Sequence, residues 1–181
     1  LETVEFGDVD AGLAAMRAIT RAGLKPFLVR FYDVDEARHA MRDPGYERCV
    51  MFLGFEGIRL LAEAEHALVT DLCVECGGRP VGSAGAEGWM GRRYDFSAIE
   101  NVLADPGGVA ETIEVSDFWS GIGGTYLALK AALAPFADEV LCHFSHVYAQ
   151  GTSLYVTLIG RAADAAAAEV RLREIWDTAM R

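Results

Sequence analysis

Glu139-Val140-Leu141-Cys142-His143-Phe144-Ser145-His146-Val147-Tyr148-Ala149-Gln150-Gly151-Thr152-Ser153-Leu154-Tyr155-Val156-Thr157-Leu158-Ile159-Gly160-Arg161 reads as a β-hairpin, two runs rich in β-branched and aromatic residues flanking a short polar break. A turn at Ala149-Gln150 pairs Tyr148 with Gly151, which sets Phe144 opposite Tyr155 and His146 opposite Ser153. Side chains alternate between the faces of a strand, so Phe144, His146, Ser153, Tyr155 and Thr157 are expected on one face. His143, Ser145, Leu154, Val156 and Leu158 are expected on the other.

Working outward, a strand at 109–115 and a helix at about 117–136 precede the hairpin, and a helix at 163–179 follows it. The second half is therefore β-α-β-β-α. The first half has a strand at 3–6, then a helix capped by Asp8 that carries Val9, Leu13, Met16 and Ile19 at helical spacing. Next come a strand at 27–32, a short polar helix at 33–42, a strand at 48–55, and a long amphipathic helix that starts near Glu56 and ends before Gly77-Gly78. Residues 77–91 contain six glycines and one proline and read as an irregular connection, followed by a helix at 97–103. Two β-α-β-β-α-like units in one chain predict an α+β, ferredoxin-like fold with an antiparallel sheet and helices on one face. The opposite face needs other cover, and any function is expected there.

Composition narrows the function classes. A chain of 181 residues with 52% hydrophobic content suffices for one domain with a substantial core. A net charge of -11 opposes a grip on nucleic acid, which requires clustered Lys and Arg. No run approaches the roughly 18 to 20 apolar residues of a membrane span, and the first residues lack the features of a leader. A cytoplasmic location is expected. Cys73-Val74-Glu75-Cys76 is one CxxC pair without a second, and it reads as structural filler with no metal site. Gly121-Ile122-Gly123-Gly124 does not follow a strand in a dinucleotide-binding unit, so it is not read as a phosphate loop.

Several residues stand out chemically. Arg30 lies inside Phe27-Leu28-Val29-Arg30-Phe31-Tyr32, where a guanidinium is costly to bury without a partner. It is either paired with Asp33 or another carboxylate, or it contacts an anion or carbonyl with its fork of donors. His146 and Tyr155 are either ordinary strand residues or lining of a ligand cavity. Arg92-Arg93-Tyr94-Asp95 is either a solvated loop or a basic corner facing substrate.

Taken in order, six stretches resemble a known family. They are Ala22-Gly23-Leu24-Lys25-Pro26 leading into Val29-Arg30-Phe31-Tyr32-Asp33, then Leu53-Gly54-Phe55-Glu56-Gly57, Gly91-Arg92-Arg93-Tyr94-Asp95, and Glu111-Thr112-Ile113-Glu114-Val115-Ser116-Asp117-Phe118-Trp119. His143-Phe144-Ser145-His146-Val147-Tyr148 and Leu154-Tyr155 complete the set. It resembles the C-terminal domain of FAD-linked oxidases of the vanillyl-alcohol oxidase superfamily, and alkyldihydroxyacetonephosphate synthase-like proteins more than D-lactate dehydrogenases.

The resemblance implies a substrate-side domain that packs over the flavin, with Arg30 and Tyr155 as functional residues and FAD as cofactor of the full-length protein. His146 matches the first His of a Gly-His-x-Gly-Asp-Gly-Asn-x-His motif in related dehydrogenases. Tyr155 stands where their second His would be, which removes one ligand of the metal site proposed for them. Catalytic roles are thus expected for Arg30, His146 and Tyr155, and substrate contacts for Arg93 and Tyr94. The resemblance further implies an FAD-binding domain before Leu1 and a His-rich motif after Arg181. Alone, the domain is expected to be inactive and not to hold FAD.

The expected partners are a small-molecule substrate and the chain's own FAD-binding domain, with a homodimer formed through the open sheet face, where Phe144, Tyr148 and Tyr155 are expected to be bare. The alternative from another class is a stand-alone ferredoxin-like ligand-binding or regulatory module without flavin.

Overall fold

A computed structural model describes all 181 residues. The first unit contains β1 (Glu2–Phe6), α1 (Val9–Arg21), β2 (Leu28–Tyr32), α2 (Val34–Met41), β3 (Cys49–Gly54) and α3 (Arg59–Glu75). A linking segment carries β4 (Arg79–Pro80), α4 (Ala84–Arg92) and α5 (Ser97–Leu103). The second unit contains β5 (Gly108–Phe118), α6 (Ile122–Leu133) with a 3-10 turn at Ala134–Phe136, β6 (Glu139–Ser145), β7 (Gly151–Arg161) and α7 (Ala165–Ala179). Asp8, Asp33 and Asp164 cap α1, α2 and α7 by accepting from the backbone N–H of Ala11, Glu36 and Ala167 at 2.8, 2.9 and 2.9 Å.

All seven strands form one sheet in the order β4-β1-β3-β2-β6-β7-β5, and every pairing is antiparallel. Outward from the β2–β6 join, each half repeats one plan: the third strand of the unit pairs next, and the first lies beyond it. The fold is α+β and ferredoxin-like, as the element order predicts. The four long helices α1, α3, α6 and α7 cover one face and enclose the larger core with Met16, Ile19, Phe31, Met51, Leu53, Val69, Cys142, Phe144, Leu154 and Ile175. Three short helices lie across the other face. There α2 and α4 enclose a smaller cluster of Tyr32, Ala37, Val50, Phe52 and Ala86, and α5 packs on β5 and β7.

Two local expectations are corrected. Residues 77–91 are not wholly irregular, because α4 occupies Ala84–Arg92. One of its glycines acts by close approach: a Cβ on Gly85 would lie 2.9 Å from Thr3 Oγ1, and that hydroxyl accepts from the Ala86 N–H at 2.9 Å.

The second correction concerns β6. Tyr148 does pair with Gly151, its N–H donating to the Gly151 carbonyl at 2.9 Å, but within the ladder His143 lies opposite Tyr155, Phe144 opposite Leu154 and Ser145 opposite Ser153. Three residues on the β6 side therefore match two on the β7 side. The extra one is accommodated where His146 adopts φ +51°, as in a β-bulge. A shift of one residue exchanges the faces of β6. Phe144 is fully buried under the long helices, stacked on Phe31 with ring centroids 5.8 Å apart, while His143 turns to the opposite face. The open face expected to drive self-association thus keeps Tyr155 and lacks Phe144.

The join between units is short, with two register pairs, Phe31–Phe144 and Tyr32–His143. It is reinforced from both sides. Phe31 rests on Gly12 of α1, where an added Cβ would fall 1.9 Å from the ring. Beyond the last pair, the buried Asp33 carboxylate accepts from Lys130 Nζ and, at 3.2 Å, from the Tyr126 hydroxyl, both on α6. Lys130 also reaches Asp35 at 2.7 Å. Burial pushes the Asp33 carboxyl up from its ordinary value, and Lys130 opposes the shift.

Two substitutions test this join. Gly12→Ala is expected to destabilise the protein by about 1 to 3 kcal/mol through overpacking against Phe31. The measurement is the denaturant midpoint at unchanged m-value, and an unaltered midpoint would contradict the packing. Lys130→Met strands Asp33 without its cation, at a cost of about 3 to 5 kcal/mol near neutral pH. With the folded carboxyl raised above the unfolded value of about 3.9, the unfolded state releases its proton first, so the cost grows as pH rises through that window. Melting curves at pH 4 and pH 7 should show a larger loss relative to the parent at pH 7; equal losses would count against a buried, charged Asp33.

Candidate functional site

Across the face that the long helices leave free, four strands place one residue each in a row: Tyr32 on β2, His143 on β6, Tyr155 on β7 and Glu114 on β5. His143 is 3% exposed, and its ring stacks on Tyr155 with centroids 4.9 Å apart and planes 20° apart. Arg30, two residues before Tyr32, lies on the same face. Its Nε donates to the Tyr32 hydroxyl at 2.6 Å, and its Nη2 lies 2.8 Å from His143 Nε2. The guanidinium carbon also lies 5.4 Å from the ring centroids of both Tyr32 and Trp89.

These contacts fix a protonation pattern. A guanidinium only donates, so His143 Nε2 accepts and the ring is neutral with its proton on Nδ1. Nδ1–H then donates to the Glu36 carboxylate, whose two oxygens lie at 2.8 and 3.0 Å. Burial raises the Tyr32 phenol well above its ordinary value, with Arg30 opposing, so its hydroxyl stays protonated. Both hydrogen-bond partners of Arg30 are therefore uncharged. Of the two readings of Arg30 open in the sequence, the pair with Asp33 is not formed, because Asp33 faces Lys130 under the sheet join.

Beside this network is a cavity of about 510 Å³, lined by Arg30, Arg93, His143, His146 and Tyr155, with Phe96 and Ile99 of the α5 region forming an apolar wall. Four of the five sequence-predicted site residues thus meet at one cavity. The fifth, Tyr94, does not line it; it is 76% exposed, with the Arg93 guanidinium 4.7 Å from its ring centroid. The hydrogen bonds of Arg93 go only to uncharged atoms of Met90, the carbonyl at 3.4 Å and the sulfur. His146 is exposed at the rim, its Nδ1 3.0 Å from Glu114 and 3.2 Å from the Ser153 hydroxyl. Its backbone is the only part of the hairpin in the left-handed region, a conformation that costs a non-glycine residue free energy.

The acidic residues of the lining are each engaged by a donor: Glu36 by His143, Glu114 by His146, and Glu111 by the Trp176 indole at 2.8 Å. The two arginines keep N–H groups without an anionic partner. Such an arrangement is suited to an anionic or carbonyl oxygen entering the cavity.

Sequence reasoning missed His143 and Glu36. The signal for His143 was present, a histidine in an otherwise aliphatic alternation, but the bulge that turns it outward was not readable. The CxxC pair offers no comparable chemistry: Cys73 is fully buried, and burial pushes its thiol up to about 12. No group of three or more His, Cys, Asp and Glu stands together to hold a metal ion.

Comparison with known proteins identifies the family and the fold. The sequence profile of the family described as FAD linked oxidases, C-terminal domain, matches residues 1–181. Alkyldihydroxyacetonephosphate synthase of Trypanosoma brucei brucei is 23% identical over 190 residues, covering 88% of this chain and 31% of that protein. The uncharacterized FAD-linked oxidoreductase YgcU of Escherichia coli O157:H7 is 27% identical over 161 residues, covering 82% and 33%. The chain thus spans about a third of the length of these curated relatives. Among solved structures, one of an alkyldihydroxyacetonephosphate synthase superposes with a TM-score of 0.84 at 18% identity, covering 99% of this chain and 38% of that one. The 4-ethylphenol oxidase of Gulosibacter chungangensis superposes with a TM-score of 0.71 at 12% identity, covering 98% and 42%. At these identities the superpositions speak to the fold, and with the profile match over its whole length the chain belongs to the family of FAD-linked oxidase C-terminal domains.

Proposed function

We propose that this chain is the substrate-side domain of an FAD-dependent flavoenzyme, an oxidoreductase or an alkylglycerone-phosphate-synthase-like enzyme, and that its open sheet face covers the flavin and lines the substrate pocket. One observation carries the reading. In a chain of net charge -11, Arg30 and Arg93 line a cavity of about 510 Å³ with only uncharged hydrogen-bond partners, while the acids around them are engaged. A ligand with an anionic or strongly polarised oxygen would supply the missing partner.

The residues fit one side of a flavin better than the whole cofactor. The face offers a sheet surface with Tyr155, Thr157 and the Arg30 donors, suited to a ring and the substrate beside it. For a diphosphate the chain is unsuited: at the glycine-rich start of α6, the Asp117 carboxylate already lies at the helix N-terminus and accepts from Thr125 at 2.7 Å. The diphosphate grip belongs to a separate domain of the full-length protein. The flavin supplies electron transfer when bound.

The chain's own residues do the rest. Arg30 and Arg93 bind and orient the anionic end of the substrate. The Tyr155 hydroxyl, which has no partner within the chain, donates or accepts a hydrogen bond at the reacting oxygen. His146, steadied through Nδ1 by Glu114, can hold a proton at the cavity rim. Phe96 and Ile99 give the cavity an apolar wall against which the uncharged part of the substrate can lie.

In the full-length flavin-loaded protein, Arg30→Ala and Tyr155→Phe are each expected to lower turnover by more than roughly tenfold. Tyr155→Phe should leave the melting temperature nearly unchanged, since it removes only an unpartnered hydroxyl. Full activity in both variants would contradict the assignment. The gene sequence upstream of Leu1 is expected to encode an FAD-binding domain; its absence would favour a stand-alone binding module.

A further inference from the structure

We propose that Glu36 and His143 act together as a positioning relay for Arg30, holding its guanidinium toward the cavity for an anionic ligand. The inference rests on the reading of the cavity as an anion-accepting substrate pocket, and it assigns a role in that pocket to two residues that are not among the site residues expected from the sequence.

Three observations converge on it. First, His143 is held on every side: it is 3% exposed, stacked on Tyr155, with Tyr32 at 5.4 Å on the neighbouring strand. A ring so enclosed has one orientation, and its Nε2 is a fixed acceptor. Second, Glu36 engages Nδ1 with both carboxylate oxygens, which sets the tautomer in which Nε2 is unprotonated. With the other tautomer, Nε2–H would confront the Arg30 N–H groups. Third, Glu36 is itself placed from the core side. It sits in the first turn of α2, whose cap Asp33 is buried, bonded to the Glu36 N–H at 2.9 Å and held by Lys130.

The chain of contacts thus runs from the interior through Asp33, Glu36 and His143 to Arg30. Tyr32 supplies the second fixed contact at Nε. Two anchored points orient a planar guanidinium, and three of its five N–H groups remain for a ligand. Because Glu36 acts through an intervening neutral ring, Arg30 keeps its full charge for that ligand, whereas a direct carboxylate pair would cancel it.

The test uses the full-length protein with inorganic sulfate as the anionic probe, its affinity measured by calorimetry, and nitrogen-15 spectra of labelled histidine. His143→Phe keeps the ring stack but removes the acceptor, and is expected to weaken sulfate binding by about tenfold, a typical loss for a hydrogen bond to a charged group. His143→Gln places a carbonyl oxygen where Nε2 stood and is expected to stay within about threefold of the parent, since it restores that bond. Glu36→Ala separates two explanations by sign: loss of a nearby negative charge alone would tighten sulfate binding, while loss of positioning weakens it. The spectra should show His143 neutral with its proton on Nδ1. Arg30→Ala serves as reference. If it leaves sulfate binding unchanged, the anion-pocket reading falls. If it abolishes binding while His143→Phe and Glu36→Ala bind as the parent does, or if His143 carries its proton on Nε2, the relay is overturned and the pocket reading stands.

Discussion

The two-pair contact between β2 and β6 is the constraint on which the rest depends. It is the only strand pairing between two similar units, and each of its register pairs serves a different face. Phe31–Phe144 points under the long helices and continues the apolar core from one unit into the other, with Phe6 and Tyr126 packed at its edges. Tyr32–His143 points the opposite way and joins the polar network around Arg30. A seam this short gains little from its ladder bonds alone. Its stability comes from the aromatic stack on one side and from the buried Asp33–Lys130 pair beyond its end, which ties α2 to α6.

The same seam explains why the polar face is preorganised. Arg30 belongs to the first unit and His143 to the second, so their 2.8 Å contact exists only when the units are docked in this register. Buried or half-buried polar groups are costly unless satisfied, and the enclosed ones here are matched: phenol and imidazole to guanidinium, and imidazole to carboxylate. The network is rigid where it meets the core and open where it meets the cavity. That asymmetry suits a domain that presents fixed donors to a ligand held partly by another domain.

Much of this was legible in the sequence. The element order follows from periodicity and caps, and β7 alternates as read, with Leu154, Val156 and Leu158 inward and Ser153, Tyr155 and Thr157 outward. Arg30 was conspicuous because no simple core reading accommodates a guanidinium there. The misreadings share a cause. The bulge at His146 adds one residue to β6 without any glycine to announce it, so Phe144 and His143 exchanged faces, and the residue that completes the Arg30 network was hidden on the wrong side. The helix α4 was obscured because a glycine that permits contact with β1, Gly85, looks in sequence like a glycine that breaks structure. Local propensity could reveal neither, since both are decided by partners distant in the chain.

The account stands on the open sheet face being the one turned toward flavin and substrate. A crystal structure of the full-length, flavin-loaded protein measures this directly. The flavin ring is predicted to lie over the side of the sheet that carries Arg30, His143 and Tyr155, with the long helices α1, α3, α6 and α7 on the far side. A flavin ring seated against those helices, or that face left in open solvent with flavin bound elsewhere, would contradict it.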